Sequence, residues 1–428
     1  MEQMKRSVVF LMGIAFLSMA ALSCKGGSGS GKAAPSAYVN TGNYSFSGGK
    51  ISREVLDNYL SRAITEAEYL CSEGMNNDGD FGREDDTRML LDIGAKFIGR
   101  SIYVWGHESL FNNPRWLANA KEKVDAYHAK DPDAIFQAAM FEAVYKSQIE
   151  QVRIPEWVFN AFNLYPENRN FNYESMCFPD GSYRNQWGRD ASVPDMTRQE
   201  TQLWFYFMGI KYMEAGIEAF HLGQIDLICK NEKGDYSSIK KVQAMLREAA
   251  KTKARRGTIL FDAHSTQGGT AVGNELLLDF TSFPLRLKEL PDQPLKVVLE
   301  AGYLDSIICR TKGGVTPSGW ECDHLPYILE FDNFGKTKHP GIPDVNDYTA
   351  WGYDEISWIS HCDQDYQNEF FEYAVKFLYE TDPNGFIQMP GMRVSADGKE
   401  RWYRLNRRSP ACPDGHNGEK TVRKLWSN

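Results

Sequence analysis

Two short patterns place ionisable side chains two residues apart inside otherwise apolar runs. They are Asp262 and His264 in GTILFDAHS, and Glu330 and Asp332 in PYILEFDNFG. Strand side chains alternate with period two, so each pair shares one face of its strand. Carboxyl groups placed this way do acid–base or nucleophilic work when one holds its proton and the other is ionised. Burial and like-charged neighbours are what separate their pKa values. The pattern predicts Glu330 as the more buried, proton-donating group. Asp262 is expected to be ionised, oriented by a hydrogen bond from His264, and to act as base or nucleophile. The histidines are a second resource. His221, His264 and His361, with nearby carboxylates, are residue types that bind a divalent metal. No HxH or HExxH pattern concentrates two of them locally, so no metal or other cofactor is expected, and metal chemistry stands as the alternative.

Those residues need elements that bring them to one place. Strand candidates are SIYVWGHES, ending near Trp105; IFQAAMFEAVY, ending near Glu142; GIEAFHLGQIDLI, ending around His221; GTILFDAHS; ELLLDFTSFP; PYILEFDNFG; DEISWISHC; and GFIQMPGM. Helical patterns mostly separate them: residues 53–72, NPRWLANAKEKVDAYHAK, TRQETQLWFYFMGIKYMEAG, SSIKKVQAMLREAAKTKARR and DQDYQNEFFEYAVKFLYE, with a weak helix near LKVVLEAGYL. Strands alternating with helices imply a parallel sheet, and eight such units imply closure into a (β/α)₈ barrel. An open doubly wound sheet would want a Gly-rich phosphate turn after its first strand, and WGHESL is not one.

In such barrels the functional residues lie at the C-terminal strand ends. Here those ends carry Trp105, Glu142, His221, Asp262 and His264, Asp279, Glu330 and Asp332, His361 and Gln388. Neighbouring strands are about 4.8 Å apart, so carboxyls from the fourth and sixth candidates would meet across the mouth within roughly 5–10 Å. That range covers both geometries used for glycosidic bond hydrolysis. Trp105, Glu142, His221, Asp279, Asp332, His361 and Gln388 are the expected substrate contacts. Aromatic rings suit the C–H faces of sugars, and Trp105, Trp320, Trp351, Tyr353 and Trp358 lie near the same ends. Residues 164–195 are too long for an ordinary connection and are expected to form one wall of the cleft.

The chain of 428 residues has a formal charge of −9, which argues against a general nucleic-acid binder. Its start sets the compartment. Lys5 and Arg6 precede the apolar run VVFLMGIAFLSMAAL and the junction Ser23-Cys24, the layout of a signal peptide. Residues 1–23 are expected to be that peptide, 24–50 a Gly/Ser-rich tether, and 51–428 the barrel. Beyond Cys24 the cysteines Cys71, Cys177, Cys229, Cys309, Cys322, Cys362 and Cys412 are odd in number and cannot all pair.

The Ser-Cys junction resembles a bacterial lipobox, which implies lipidation of Cys24 and a protein held at the cell envelope. With the element order, the whole resembles lipid-anchored TIM-barrel proteins of the glycoside hydrolase type. That resemblance implies an oligosaccharide or polysaccharide partner and membrane association through the lipid alone. The large retaining clan of this fold places an acid/base Glu after strand four and a nucleophilic Glu after strand seven. The candidates here offer Asp262 and His264 after the fourth and Ser360 and His361 after the seventh, so those assignments do not transfer on this count. A non-catalytic glycan-binding lipoprotein, and a metal-dependent hydrolase or isomerase, are the alternatives.

Overall fold

The computed structural model describes residues 37–72 and 83–427. Cys24 and the signal peptide lie outside the described residues. Eight parallel strands close into a barrel: β1 (Ala63–Glu66), β2 (Phe97–Tyr103), β3 (Ile135–Ala139), β4 (Ala219–Gln224), β5 (Leu260–His264), β6 (Thr281–Pro284), β7 (Tyr327–Glu330) and β8 (Gly385–Val394). Each pairs with its neighbours in chain order, and β8 pairs with β1 through Ile64 opposite Met389. A short β9 (Trp402–Arg404) runs antiparallel along the far half of β8. The fold is therefore the expected (β/α)₈ barrel.

The longer helices are α1 (Arg53–Leu60) before the barrel, α2 (Glu84–Ile93), α3 (Pro114–His128), α4 (Gln199–Glu214) and α5 (Ser237–Lys253) after β1 to β4, α6 (Glu355–His361) and α7 (Gln364–Thr381) after β7, and α8 (Glu419–Trp426) last. The β5–β6 and β6–β7 links carry short strand pairs instead, and the expected helix near LKVVLEAGYL is an antiparallel pair, Lys288–Glu289 with Val297–Val298. Apolar residues from the strand starts, including Phe97, Ile135, Ala219, Leu260 and Phe386, pack with α1 and close the N-terminal end.

The strand count is correct, but two of its members change. The helix expected over 53–72 stops at Leu60, and β1 follows. Its Ala and Glu residues suggest a helix, yet every residue from Ala63 to Cys71 is buried, as a barrel strand covered on both faces requires. The expected seventh strand, DEISWISHC, is α6: Asp354 caps it, accepting the Ser357 amide at 2.7 Å. Ile356, Trp358 and Ile359 are all buried, so no polar stripe announces a helix. Each candidate from SIYVWGHES to PYILEFDNFG therefore moves up one place, and PYILEFDNFG becomes β7.

The segment expected to be tether is partly ordered structure. Tyr38 Oη donates to Asn58 Oδ1 at 3.0 Å, Asn58 Nδ2 donates to the Asn43 carbonyl at 2.8 Å, and Tyr44 is buried against Tyr59. Packing onto the barrel thus begins before residue 51. Cys71, Cys177, Cys229, Cys322, Cys362 and Cys412 are free thiols. Among the described residues no helix is long and apolar enough to cross a membrane.

Candidate functional site

The site is built at the C-terminal mouth from a distortion in β2. The β2–β3 register shifts between Ile98 and Ile102, and Arg100 within that bulge has φ +53°. A bulge re-aims its side chain, and here it sends a guanidinium into the barrel. Gly99 is needed for the same reason: a Cβ there would meet Gln388 Nε2 of β8 at 2.1 Å. The Arg100 amide donates to Gln137 Oε1 of β3 at 3.0 Å, which fixes the bulge.

Arg100 Nη2 and His264 Nε2 both donate to Glu330 Oε1, and the two nitrogens are 3.1 Å apart. Arg393 Nη2, from β8, donates to Asp332 Oδ1 at 2.5 Å and to Asn333 Oδ1 at 2.8 Å. Arg100 Nη1 lies 3.9 Å from the same Asp332 oxygen. Burial opposes charge on both carboxyls, but Arg100 outweighs it. Aided by His264, it holds Glu330 down to about 2, and with Arg393 it holds Asp332 well below the usual carboxylate range. Glu330 Oε2 is buried without a partner.

Asp262 has neutral partners. Gln137 Nε2 donates to its Oδ1 at 2.6 Å, Ser282 Oγ to its Oδ2 at 2.7 Å, and His221 Nδ1 lies 2.8 Å from Oδ2. Burial dominates, and it pushes Asp262 up to about 7 against the Ser282 hydrogen bond. Burial, with Arg100 and His264 nearby, keeps His221 neutral well below its ordinary value. The two shifts run opposite to the charge states expected from sequence. Glu330 is held toward its ionised form and Asp262 is pushed toward its protonated form, because both are 1% exposed and only Glu330 is bonded to a guanidinium. His264 serves Glu330, and His221 serves Asp262.

Above this floor lies a cavity of about 430 Å³. Arg100, His221, His264, Asp332, Arg393 and Glu142 line it, with Trp105, Phe141, Trp187 and Phe334 as apolar walls. Glu142 accepts the Gln224 amide at 3.1 Å and the Gln224 side-chain amide at 3.0 Å. Gly223, at φ +62°, leaves room for that carboxylate, since a Cβ would stand 1.8 Å from Glu142 Oε2. Trp105 and Trp187 meet edge to face at 5.2 Å, and Trp187 Nε1 donates to the Glu142 carbonyl at 2.9 Å. The long excursion after β3 thus supplies a wall, as its length suggested.

Of the expected site residues, the mouth gathers Glu330, Asp262, His264, Asp332, His221, Glu142 and Trp105, with Gln388 in the lumen beside Gly99. Asp279 is not among them. It accepts from Arg247 and from the Phe261 amide, both at 2.8 Å, tying α5 to β5 short of the β6 start. His361 also falls away, because α6 is a helix: its Nε2 meets the Asp397 carbonyl at 2.7 Å and its ring lies on Tyr353. Trp320 packs at the closed end, donating to the Ile51 carbonyl. Arg100, Arg393, Gln137, Ser282 and Trp187 went unselected. A lone Arg inside an apolar strand pattern, in FIGRSIY and again in MPGMRV, was the available signal.

His221, His264 and Glu330 bring one ligand atom apiece within 4.8 Å of one another. Arg100 already bonds Glu330 and stands against His264, so a guanidinium fills the place a cation would take. The donor set fits a metal poorly for that reason.

No protein-family model matches this chain, and no curated protein does. Among solved structures it is similar to trehalose-6-phosphate hydrolase of Bacillus licheniformis, at 11% identity over 86% of this chain and 83% of that one, TM-score 0.39. It is similar to endo-glycoceramidase II of Rhodococcus sp., at 12% identity over 85% and 78%, TM-score 0.40. It is also similar to an α-galactosidase of Thermus thermophilus, at 14% identity, TM-score 0.28, covering 49% of this chain and 41% of the galactosidase, less than half its length. The barrel itself is read from the strand pairing of this chain.

Proposed function

We propose that this chain is a glycan-active hydrolase whose ionised carboxylate is Glu330. The observation that carries the reading is Glu330 at the end of β7, charged through Arg100 and His264, beneath a cavity with indole walls and hydrogen-bonding groups. With the strands renumbered, Glu330 holds the strand-seven position of the retaining clan's nucleophile. Its partnerless Oε2 is the atom assigned to the sugar. Strand four offers His221 and Gln224 instead of a Glu, and Glu142 at the end of β3, bonded to Gln224, is assigned the proton-donor role. The test is a screen of 4-nitrophenyl glycosides and oligosaccharides. For a substrate found, Glu330→Gln should lower kcat by about a thousandfold or more, and Glu142→Gln by roughly 10²–10⁴-fold. Turnover by both variants at the parent rate overturns the assignment.

Gln224 at the strand-four end is also what a non-catalytic glycan-binding protein would tolerate. Glycan binding that survives Glu330→Gln, with no turnover by the parent protein, selects that second reading. The same proposal places the barrel at the cell envelope through a lipid on Cys24, on the strength of the apolar run and Ser-Cys junction. Mass spectrometry of the mature N-terminus checks it; cleavage elsewhere without lipid counts against it.

A further inference from the structure

Among the described residues, the largest concentration of exposed large apolar side chains lies on the loop after β7, beside the cavity. Phe334 is 42% exposed, Ile342 60%, Val345 37% and Tyr348 52%. Clustered exposed apolar groups of this kind mark contact surfaces. This loop is anchored beneath its tips: Tyr303 Oη donates to the Val345 carbonyl at 2.9 Å, and Glu289 accepts the Asp344 and Trp351 amides at 3.2 and 2.9 Å.

The two exposed rings share one mount. The Arg286 guanidinium lies 5.4 Å from the Phe334 ring, 5.0 Å from Tyr348 and 4.9 Å from Phe283. Arg286 follows β6 with φ +58°, a conformation that costs a non-glycine residue free energy. Its Nε donates to Asp305 at 2.5 Å and its amide to Glu355 at 3.3 Å. A strained, mostly buried, ion-paired arginine thus holds two rings at the surface. The array is continuous with the site floor, since Phe283 lies 6.0 Å from the His264 ring and Phe334 itself lines the cavity.

Resting on the glycan reading above, we propose that Phe334 and Tyr348 form an outer subsite that stacks a further neutral sugar unit of an oligosaccharide whose end occupies the cavity. Flat rings with an adjacent cation accept the C–H face of a pyranose while leaving its hydroxyls to water. Continuity with the cavity through Phe334 is what commits the platform to the same ligand. The substrate class is then a neutral oligosaccharide longer than the cavity holds, not a simple monoglycoside.

The experiment uses the full chain and a Phe334→Ala/Tyr348→Ala variant on an array of neutral oligosaccharides from disaccharides to hexasaccharides, with thermal melting as the folding control. Both rings are exposed, so melting should not move. The expected result is that the parent protein binds a trisaccharide or longer chain, and that the double variant binds it about tenfold or more weakly. Binding of the matching monosaccharide glycoside should be unchanged in a Tyr348→Ala single variant, whose ring lies outside the cavity lining. Equal binding by variant and parent, or no oligosaccharide bound by the parent, overturns the subsite. So does loss in the variant of co-sedimentation with neutral phosphatidylcholine vesicles, which would make the platform a membrane contact. Tight length-dependent binding without turnover would overturn the hydrolase reading and leave the subsite standing.

Discussion

Glu330 and Asp262 sit on β7 and β5 of one barrel, each 1% exposed, and their carboxyls are driven in opposite directions. Glu330 meets a guanidinium and an imidazole, and charge wins over desolvation. Asp262 meets an amide, a hydroxyl and a neutral imidazole, and desolvation wins. Depth of burial therefore does not decide which of the two carboxyls is driven toward its protonated form. The charge of the partner does, and the deciding partner comes from a bulge three strands away from where either carboxyl is read.

The largest break in that contrast is Arg100→Met. It leaves Glu330 and Asp332 without their shared cation, and removing one partner of a buried ion pair typically costs about 3–5 kcal/mol. Denaturant unfolding should show a loss of that size near pH 7. The loss should shrink toward pH 5, because the freed Glu330 can then take up a proton.

Asp262→Asn acts on the other half. The folded carboxyl is raised to about 7 from 3.8. Between those values the folded chain holds a proton that the unfolded chain has released, so stability falls as pH rises through that window. Asn has no proton to lose, so the variant should be flatter there, by roughly 2–4 kcal/mol across the window. Glu330→Gln should flatten the opposite limb. Glu330 is held to about 2 against 4.5, so stability rises between those values as the unfolded chain gives up its proton, and falls on acidification. Melting temperature against pH for the two variants checks both signs.

Ser282→Ala is the smallest change. It removes one donor from Asp262 and should cost about 1 kcal/mol. That donor lowers the Asp262 carboxyl, so its midpoint should move up further. A downward move would mean that the hydroxyl accepts from a protonated Asp262 rather than donating to it.

The barrel was legible because β4, β5, β7 and β8 read as short apolar runs ending on polar groups, and a closed parallel sheet follows from enough of them. β1 was not, because AITE carries helix-favouring Ala and Glu, and its strand state is imposed by β2 and β8 on either side. α6 was not, because a helix buried all round has the composition of a buried strand. Asp262, Glu330 and His264 were found from period-two spacing. Their charge states were not, since Arg100 acts through a bulge and a left-handed backbone that spacing does not encode. Asp279 and His361 failed where the local secondary structure was misjudged or where the strand began later than the apolar run.

The central claim is that Glu330 is the ionised carboxylate and Asp262 the proton-bearing one. It is tested most directly by carboxyl ¹³C NMR of the full chain from pH 3 to 9, with Glu330→Gln and Asp262→Asn assigning the two signals. The Glu330 carbon should stay at its ionised shift from pH 4 upward, while Asp262 titrates with a midpoint near 7. A Glu330 midpoint above about 5, with Asp262 already ionised at pH 4, would contradict the account and leave Asp262 as the charged carboxylate of the site.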